Sequence, residues 1–187
     1  MRIRIIKPVA AAALAAALVI VASPAPAHAA PGGNGTAQQA SVTPSTIGAL
    51  AAPFRLQNPK SGKLLQPLGG NQAVGTKVVQ EPASGSGLQR WTIINDGDYI
   101  SLENYTADKN MGIDGASTVN GASAIIANPD GSFNQDWKVL WKDNTWFRLQ
   151  NRKSSRCLGI SGASTSNHAV AAQFTCDNTT NQTWRFF

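Results

Sequence analysis

Few side chains in this sequence could carry out acid–base or nucleophilic chemistry. A Ser–His–acid set needs a histidine, and the chain holds two, His28 and His168. His28 falls inside an export signal described below. His168 ends the polar run Ser166-Asn167-His168, the setting of a solvated turn residue. Asp96 and Asp98 flank Gly97, and Asn95-Asp96-Gly97-Asp98 is turn chemistry before it is acid–base chemistry. Nothing places a second carboxylate opposite them, as glycoside hydrolysis requires. No phosphate-binding loop and no metal-ligand spacing occurs. Cys157 and Cys176 are well separated and have no further ligand set beside them, which argues against a zinc site. The sequence therefore reads as a non-enzyme without cofactor or metal, and binding is the class that remains.

The elements that would position a binding surface repeat three times. A shift of 47 lays Leu158-Gly159-Ile160-Ser161-Gly162-Ala163-Ser164-Thr165 on Met111-Gly112-Ile113-Asp114-Gly115-Ala116-Ser117-Thr118. The same shift lays Gln182 and Trp184 on Gln135 and Trp137, and a further shift of 46 reaches Gln89 and Trp91. Repeats of this length suit several architectures. Helical repeats need apolar residues at three-and-four spacing; here they alternate instead. Phe54 with Leu56, Ile100 with Leu102 and Phe147 with Leu149 each share one strand face. So do Trp91 with Ile93, Trp137 with Val139 and Trp184 with Phe186. Period two broken by Gly, Asn, Ser and Asp is the pattern of strands and turns. Propellers normally have four or more blades, so three copies predict a small closed all-β barrel with pseudo-threefold symmetry.

The three closures Gln89-Arg90-Trp91, Gln135-Asp136-Trp137 and Gln182-Thr183-Trp184 resemble the signature of ricin-B-type lectin domains. The resemblance covers residues 53–187, in repeats 53–98, 99–145 and 146–187, and it implies a β-trefoil. It also implies that the Gln and Trp of each closure serve the core and turns, and that Cys157 and Cys176 form a disulfide within the third repeat. An exported chain with an even cysteine count fits such a bridge. The matching pairs elsewhere, Leu64 with Ala83 and Asn110 with Pro129, lack cysteines.

The resemblance also implies where sugar would bind. Each lobe of the family offers an Asp two residues after the cysteine position, a later aromatic, and an Asn just before Gln-x-Trp. Here the Asp positions hold Gln66, Gly112 and Gly159, the aromatic positions Glu81, Ala127 and Phe174, and the Asn positions Leu88, Asn134 and Asn181. The carbohydrate-binding candidates are therefore Ser161, Phe174 and Asn181 in the third lobe and Asp114 with Asn134 in the second. Three of them also have a plainer reading: a turn residue for Asp114, core for Phe174, a turn cap for Asn181. The absent carboxylate normally holds two adjacent hydroxyls, a loss of roughly 2–3 kcal/mol. Restoring it by Gly159→Asp is expected to strengthen galactose binding. Asn104, Asn178 and Asn181 also match Asn-x-Thr glycosylation acceptors.

Residues 1–29 read as a secretory signal. Arg2, Arg4 and Lys7 precede the apolar run Val9 to Val21, and Ala27-His28-Ala29 ends it. A retained anchor is the alternative, but the run is short for a membrane span. Removing it leaves 13 − 10 = +3 of the formal +6 charge. With no basic run remaining, nucleic acid is not an expected partner. Residues 30–52, rich in Gly, Pro, Ser, Thr, Gln and Ala, read as a flexible leader, although Ile47 and Leu50 offer apolar groups for docking. The expectation is a secreted, monomeric protein that binds a glycan or polysaccharide. The alternative is a trefoil scaffold whose loops bind a protein, as an inhibitor does, with sugar binding lost.

Overall fold

The computed structural model describes residues 53–187. The export signal over 1–29 and the leader over 30–52 lie outside the described residues.

Twelve short strands are formed, four to each repeat. The first lobe holds β1 (Leu56–Gln57), β2 (Leu64–Pro67), β3 (Val78–Glu81) and β4 (Trp91–Asp96). The second holds β5 (Tyr99–Asn104), β6 (Lys109–Ile113), β7 (Ala124–Ala127) and β8 (Asp136–Trp141). The third holds β9 (Phe147–Asn151), β10 (Cys157–Ile160), β11 (Ala171–Phe174) and β12 (Arg185–Phe186). Six of them close a ring. β4 pairs with β5, β5 with β8, β8 with β9, and β12 with β1. Single antiparallel bridges at Phe54–Trp91 and Phe147–Trp184 complete the circle. The hairpins β2–β3, β6–β7 and β10–β11 stand on this barrel as a cap, joined by bridges at Lys77–Ile125, Val79–Val170 and Ser123–Ala172. This is the β-trefoil expected from the repeats.

The alternating apolar pattern sends one face of each strand inward. Leu56, Leu102, Phe147 and Leu149 are fully buried, and Phe54 and Ile100 nearly so. Trp91, Trp137 and Trp184 have no exposed surface. Each indole N–H, which must find an acceptor once buried, donates to the carbonyl of the matched residue: Leu65 (3.1 Å), Met111 (3.0 Å) or Leu158 (3.0 Å). The glutamine two residues earlier is buried too, and its amide braces the turn before it. Gln182, for instance, donates to the Thr175 carbonyl (3.0 Å) and accepts from the Asp177 N–H (3.2 Å). The core-and-turn role expected of these six residues holds.

The cap is held by reciprocal contacts that run around the pseudo-threefold axis. Gly75 in the first lobe donates its N–H to Ile126 in the second (2.9 Å). Gly121 in the second donates to Gln173 in the third (2.8 Å), and His168 in the third donates to Gln80 in the first (3.1 Å). The buried amides of Gln80 and Gln173 add a clamp on the tip they face. Gln80 donates to the Ser164 and Ser166 carbonyls, and Gln173 to those of Ser117 and Val119. Each also accepts from a serine hydroxyl at 2.7 Å, Ser61 or Ser154 respectively. In the second lobe the glutamine position holds Ile126 and the serine position Ala107, both buried. One polar pair is thus replaced by a matched apolar pair, which leaves no buried donor without a partner. The tip facing Ile126, Asn71 to Gly75, is held by backbone bonds without this clamp.

Candidate functional site

The third-lobe candidates lie along one hairpin and the turn beneath it. Cross-strand pairing sets Phe174 opposite Cys157 and Ala172 opposite Gly159. Leu158 and Ile160 point into the core, so Cys157 and Gly159 share the other face with Phe174. Phe174 is half-buried beside the disulfide, which links Cys157 and Cys176 across a Cα–Cα distance of 4.9 Å. Asn181 sits in the one-turn 3-10 segment Thr180–Gln182 and donates its amide to the Ile160 carbonyl (3.4 Å). Ser161 follows Ile160 directly. Asn181 therefore lies over Gly159 and Ile160, with Ser161 next along the chain, while Phe174 lies toward the other end of the hairpin. Four residues of strand separate Cys157 from Ser161, about 13 Å. A sugar ring stacked on Phe174 would have to extend as far as Gly159 to touch Asn181.

Gly159 does not leave an empty pocket. A Cβ placed there would lie 2.8 Å from Cγ of Gln182 and 3.4 Å from Nδ2 of Asn181. Gln182 cannot move aside freely, since both ends of its amide are engaged as described above. This geometry reverses the outcome expected for restoring the carboxylate. Gly159→Asp should destabilise the fold by about 1–3 kcal/mol through overpacking and yield no gain in galactose affinity. Thermal melts alongside a galactoside titration check this; tighter binding with unchanged melting would show that the turn yields.

The second lobe repeats the arrangement. Gly112 is buried, and a Cβ there would lie 2.9 Å from Cγ of Gln135 and 3.3 Å from Nδ2 of Asn134. Asn134 is 9% exposed and donates to the Ile113 carbonyl (3.2 Å). Its amide nitrogen thus faces the protein. Asp114 comes next after Ile113, exposed, at the start of the 3-10 turn Asp114–Ala116. Asp114 and Asn134 are brought together at this turn, but Ala127 supplies no ring. The first lobe differs. Gln66 fills the glycine position and accepts from the Gln89 amide (3.0 Å), while Leu88 replaces the asparagine. Glu81, at the aromatic position, pairs with His168 Nδ1.

Several contacts were not foreseen from the sequence. His168 is solvent-exposed as expected, but it also joins the third lobe to the first through Glu81. It holds a positive φ of 61°, where the equivalent positions hold Gly75 and Gly121; alignment of the repeats carries that signal. Asp96, read as a turn residue, forms an ion pair with Arg152 at 3.2 Å. The same guanidinium nitrogen lies 3.2 Å from the wholly buried Asp136, which also accepts from Ser101 Oγ (3.1 Å). Of the glycosylation matches, Asn104 is fully buried and donates to the Leu88 carbonyl (2.8 Å). Asn181 is half-buried and Asn178 is exposed. Among the described residues there is no cluster of three or more potential metal ligands and no helix long and apolar enough to cross a membrane.

Comparison with known families gives one match, the ricin-type beta-trefoil lectin domain, over residues 52–184. The chain belongs to this family. Among curated proteins no significant match is found. Among solved structures, this lectin domain is similar to a designed threefold-symmetric protein, ThreeFoil. That pair is 29% identical with a TM-score of 0.70, over 72% of this chain and 96% of the other. It is also similar to a ricin B-like lectin from Macrolepiota procera solved with lactose, at 20% identity and TM-score 0.63, over 72% and 94% of the two chains. A third similar structure, an exo-beta-1,3-galactanase from Clostridium thermocellum, matches at 24% identity and TM-score 0.71. The match covers 73% of this chain but only 30% of that enzyme. At these last two identities the likeness concerns the fold alone.

Proposed function

We propose that this protein is a secreted, non-catalytic carbohydrate-binding protein whose sugar sites have diverged from the family pattern. The observation that carries the reading is the third-lobe hairpin: Phe174 is partly exposed at the family's stacking position, Asn181 lies over Gly159 on the same hairpin, and Ser161 ends its strand. A ring face packs on the apolar patch of a pyranose, and a side-chain amide offers both a donor and an acceptor to hydroxyls. The disulfide next to Phe174 stiffens that edge, which lowers the ordering cost of binding. Asp114 and Asn134 form a second, weaker contact in the second lobe. Without the carboxylate, single-site affinity should be weak, about 4–5 kcal/mol, or high micromolar to millimolar. Several competent lobes would raise avidity.

A glycan array tests the class, and Phe174→Ala tests the site. The variant should lose retention on the best array ligand while melting within about 1 kcal/mol of the parent stability. A loss of roughly 3 kcal/mol or more would instead place Phe174 in the core. One observation favours a second reading, a scaffold that binds a protein through its loops: at both Gly112 and Gly159 the family's carboxylate position is closed by the protein's own amides. An array with no hit, together with a partner captured by the intact protein, would favour that scaffold.

A further inference from the structure

Phe133 is an exposed aromatic side chain that the repeat pattern does not explain. It is 52% exposed, and the equivalent positions hold Gly87 and Thr180, so nothing in the repeat calls for an aromatic ring there. One face of the ring rests on the Arg152 guanidinium, whose carbon is 3.8 Å from the ring centroid. Arg152 lies in turn 4.5 Å from the centroid of the Tyr99 ring. This stack is fixed from beneath: Arg152 Nη1 is shared between Asp96 and the buried carboxylate of Asp136. The backbone under the ring is pinned as well. Asn151 Nδ2 donates to the carbonyls of Asn134 (2.9 Å) and Asp136 (3.4 Å), and Asn134 Nδ2 donates to Ile113.

We propose that the outer face of Phe133 is a stacking platform for a single pyranose ring, a carbohydrate contact distinct from those at Phe174 and Asn134. The inner face is occupied by Arg152, so the outer face is the one open to a ligand. The ring is held before any ligand arrives, which removes most of the ordering cost. Arg152 on the inner face and its ion-pair partner Asp96 are about one-third exposed, at 27% and 32%, so the platform is backed by charged groups. The ligand class follows from size and surroundings. A stable protein interface needs about 800 Å² per partner and a core depleted of charge. One ring backed by an ion pair is too small and too charged for that, whereas one sugar face covers one ring. The location is also separate: Asn134 turns its amide toward β6, while the Phe133 ring lies on Arg152, just past the end of β9. Naming the ligand as carbohydrate rests on the functional reading above; the position does not.

The test is a titration of isotopically labelled protein with methyl β-galactoside and, separately, methyl β-glucoside, followed by aromatic and Arg side-chain resonances. With at least one sugar, the Phe133 ring and the Arg152 side chain should shift in a saturable way. Phe133→Ala should weaken that contact at least about tenfold, leave melting almost unchanged, and leave any shifts at Phe174 intact. Phe133→Trp should restore it. Shifts confined to Phe174 would overturn the platform and leave the lectin reading standing. Absence of any shift with either sugar would overturn both. Phe133 shifts that track protein concentration in the absence of sugar would also overturn it, and would assign the ring to a protein contact.

Discussion

Trp137→Ala should lower stability by about 3–5 kcal/mol, the loss typical of truncating a large buried aromatic. Trp137 has no exposed surface and lies in the continuous core that links the three lobes. Its indole N–H is also the donor to the Met111 carbonyl at 3.0 Å. Removal therefore opens a cavity and takes a partner from a buried acceptor at the same time. Small domains are stable by only about 5–15 kcal/mol, so one such loss takes a large share. For a domain of this size it corresponds to a fall of roughly 10 °C or more in melting temperature. Trp91 and Trp184 repeat the geometry, and alanine at either should act comparably. A Trp137→Ala protein that melts within a couple of degrees of the parent would remove this residue from the core.

Loss of the Cys157–Cys176 bridge comes next in size. It closes a segment of 19 residues within one lobe, worth about 3 kcal/mol on the chain-entropy estimate. Native protein should show no thiol titre, and the Cys157→Ser/Cys176→Ser double variant should melt lower. The damage should be local as well. Amide exchange ought to rise first in β10, β11 and the stretch that carries Phe174 and Gln182, since the first and second lobes have no such link. Uniform acceleration across all three lobes would contradict this. Full labelling of two thiols without reductant would dispose of the bridge itself.

Much of the fold was legible because the barrel writes itself in period two. Phe54 with Leu56, Ile100 with Leu102, and Phe147 with Leu149 alternate with polar neighbours, and those pairs are the ones turned inward. The site was legible only in part. Reading Gly112 and Gly159 against the family showed that a carboxylate was missing, but not that Asn134, Gln135, Asn181 and Gln182 had closed over the space. A missing side chain is a property of one position, whereas its refilling depends on rotamers of residues more than twenty places away. Arg152 escaped for a related reason. Its partners Asp96, Tyr99, Phe133 and Asp136 come from two other lobes, and its own equivalents, Tyr105 and Pro59, carry no charge. The exchange of Gln80 with Ser61 and Gln173 with Ser154 for Ile126 with Ala107 was visible in the aligned repeats. It becomes intelligible only once the hairpins are seen to hold one another.

That mutual hold has a consequence for how the molecule comes apart. In a linear array of repeats the terminal unit has one neighbour, so unfolding can begin at an end. Here every hairpin tip is gripped by another lobe and the succession returns to its origin, so there is no terminal unit to peel away. Losing one lobe deprives both of the others of backbone partners at once. The three lobes should therefore be lost together in a single cooperative step. The circle is nonetheless uneven. Two joints carry a buried amide fastening, and the third, where Asn71 to Gly75 meets Ile126, relies on main-chain bonds. Transient native-state fluctuations should begin at that joint, which gives an approximately symmetric molecule a seam.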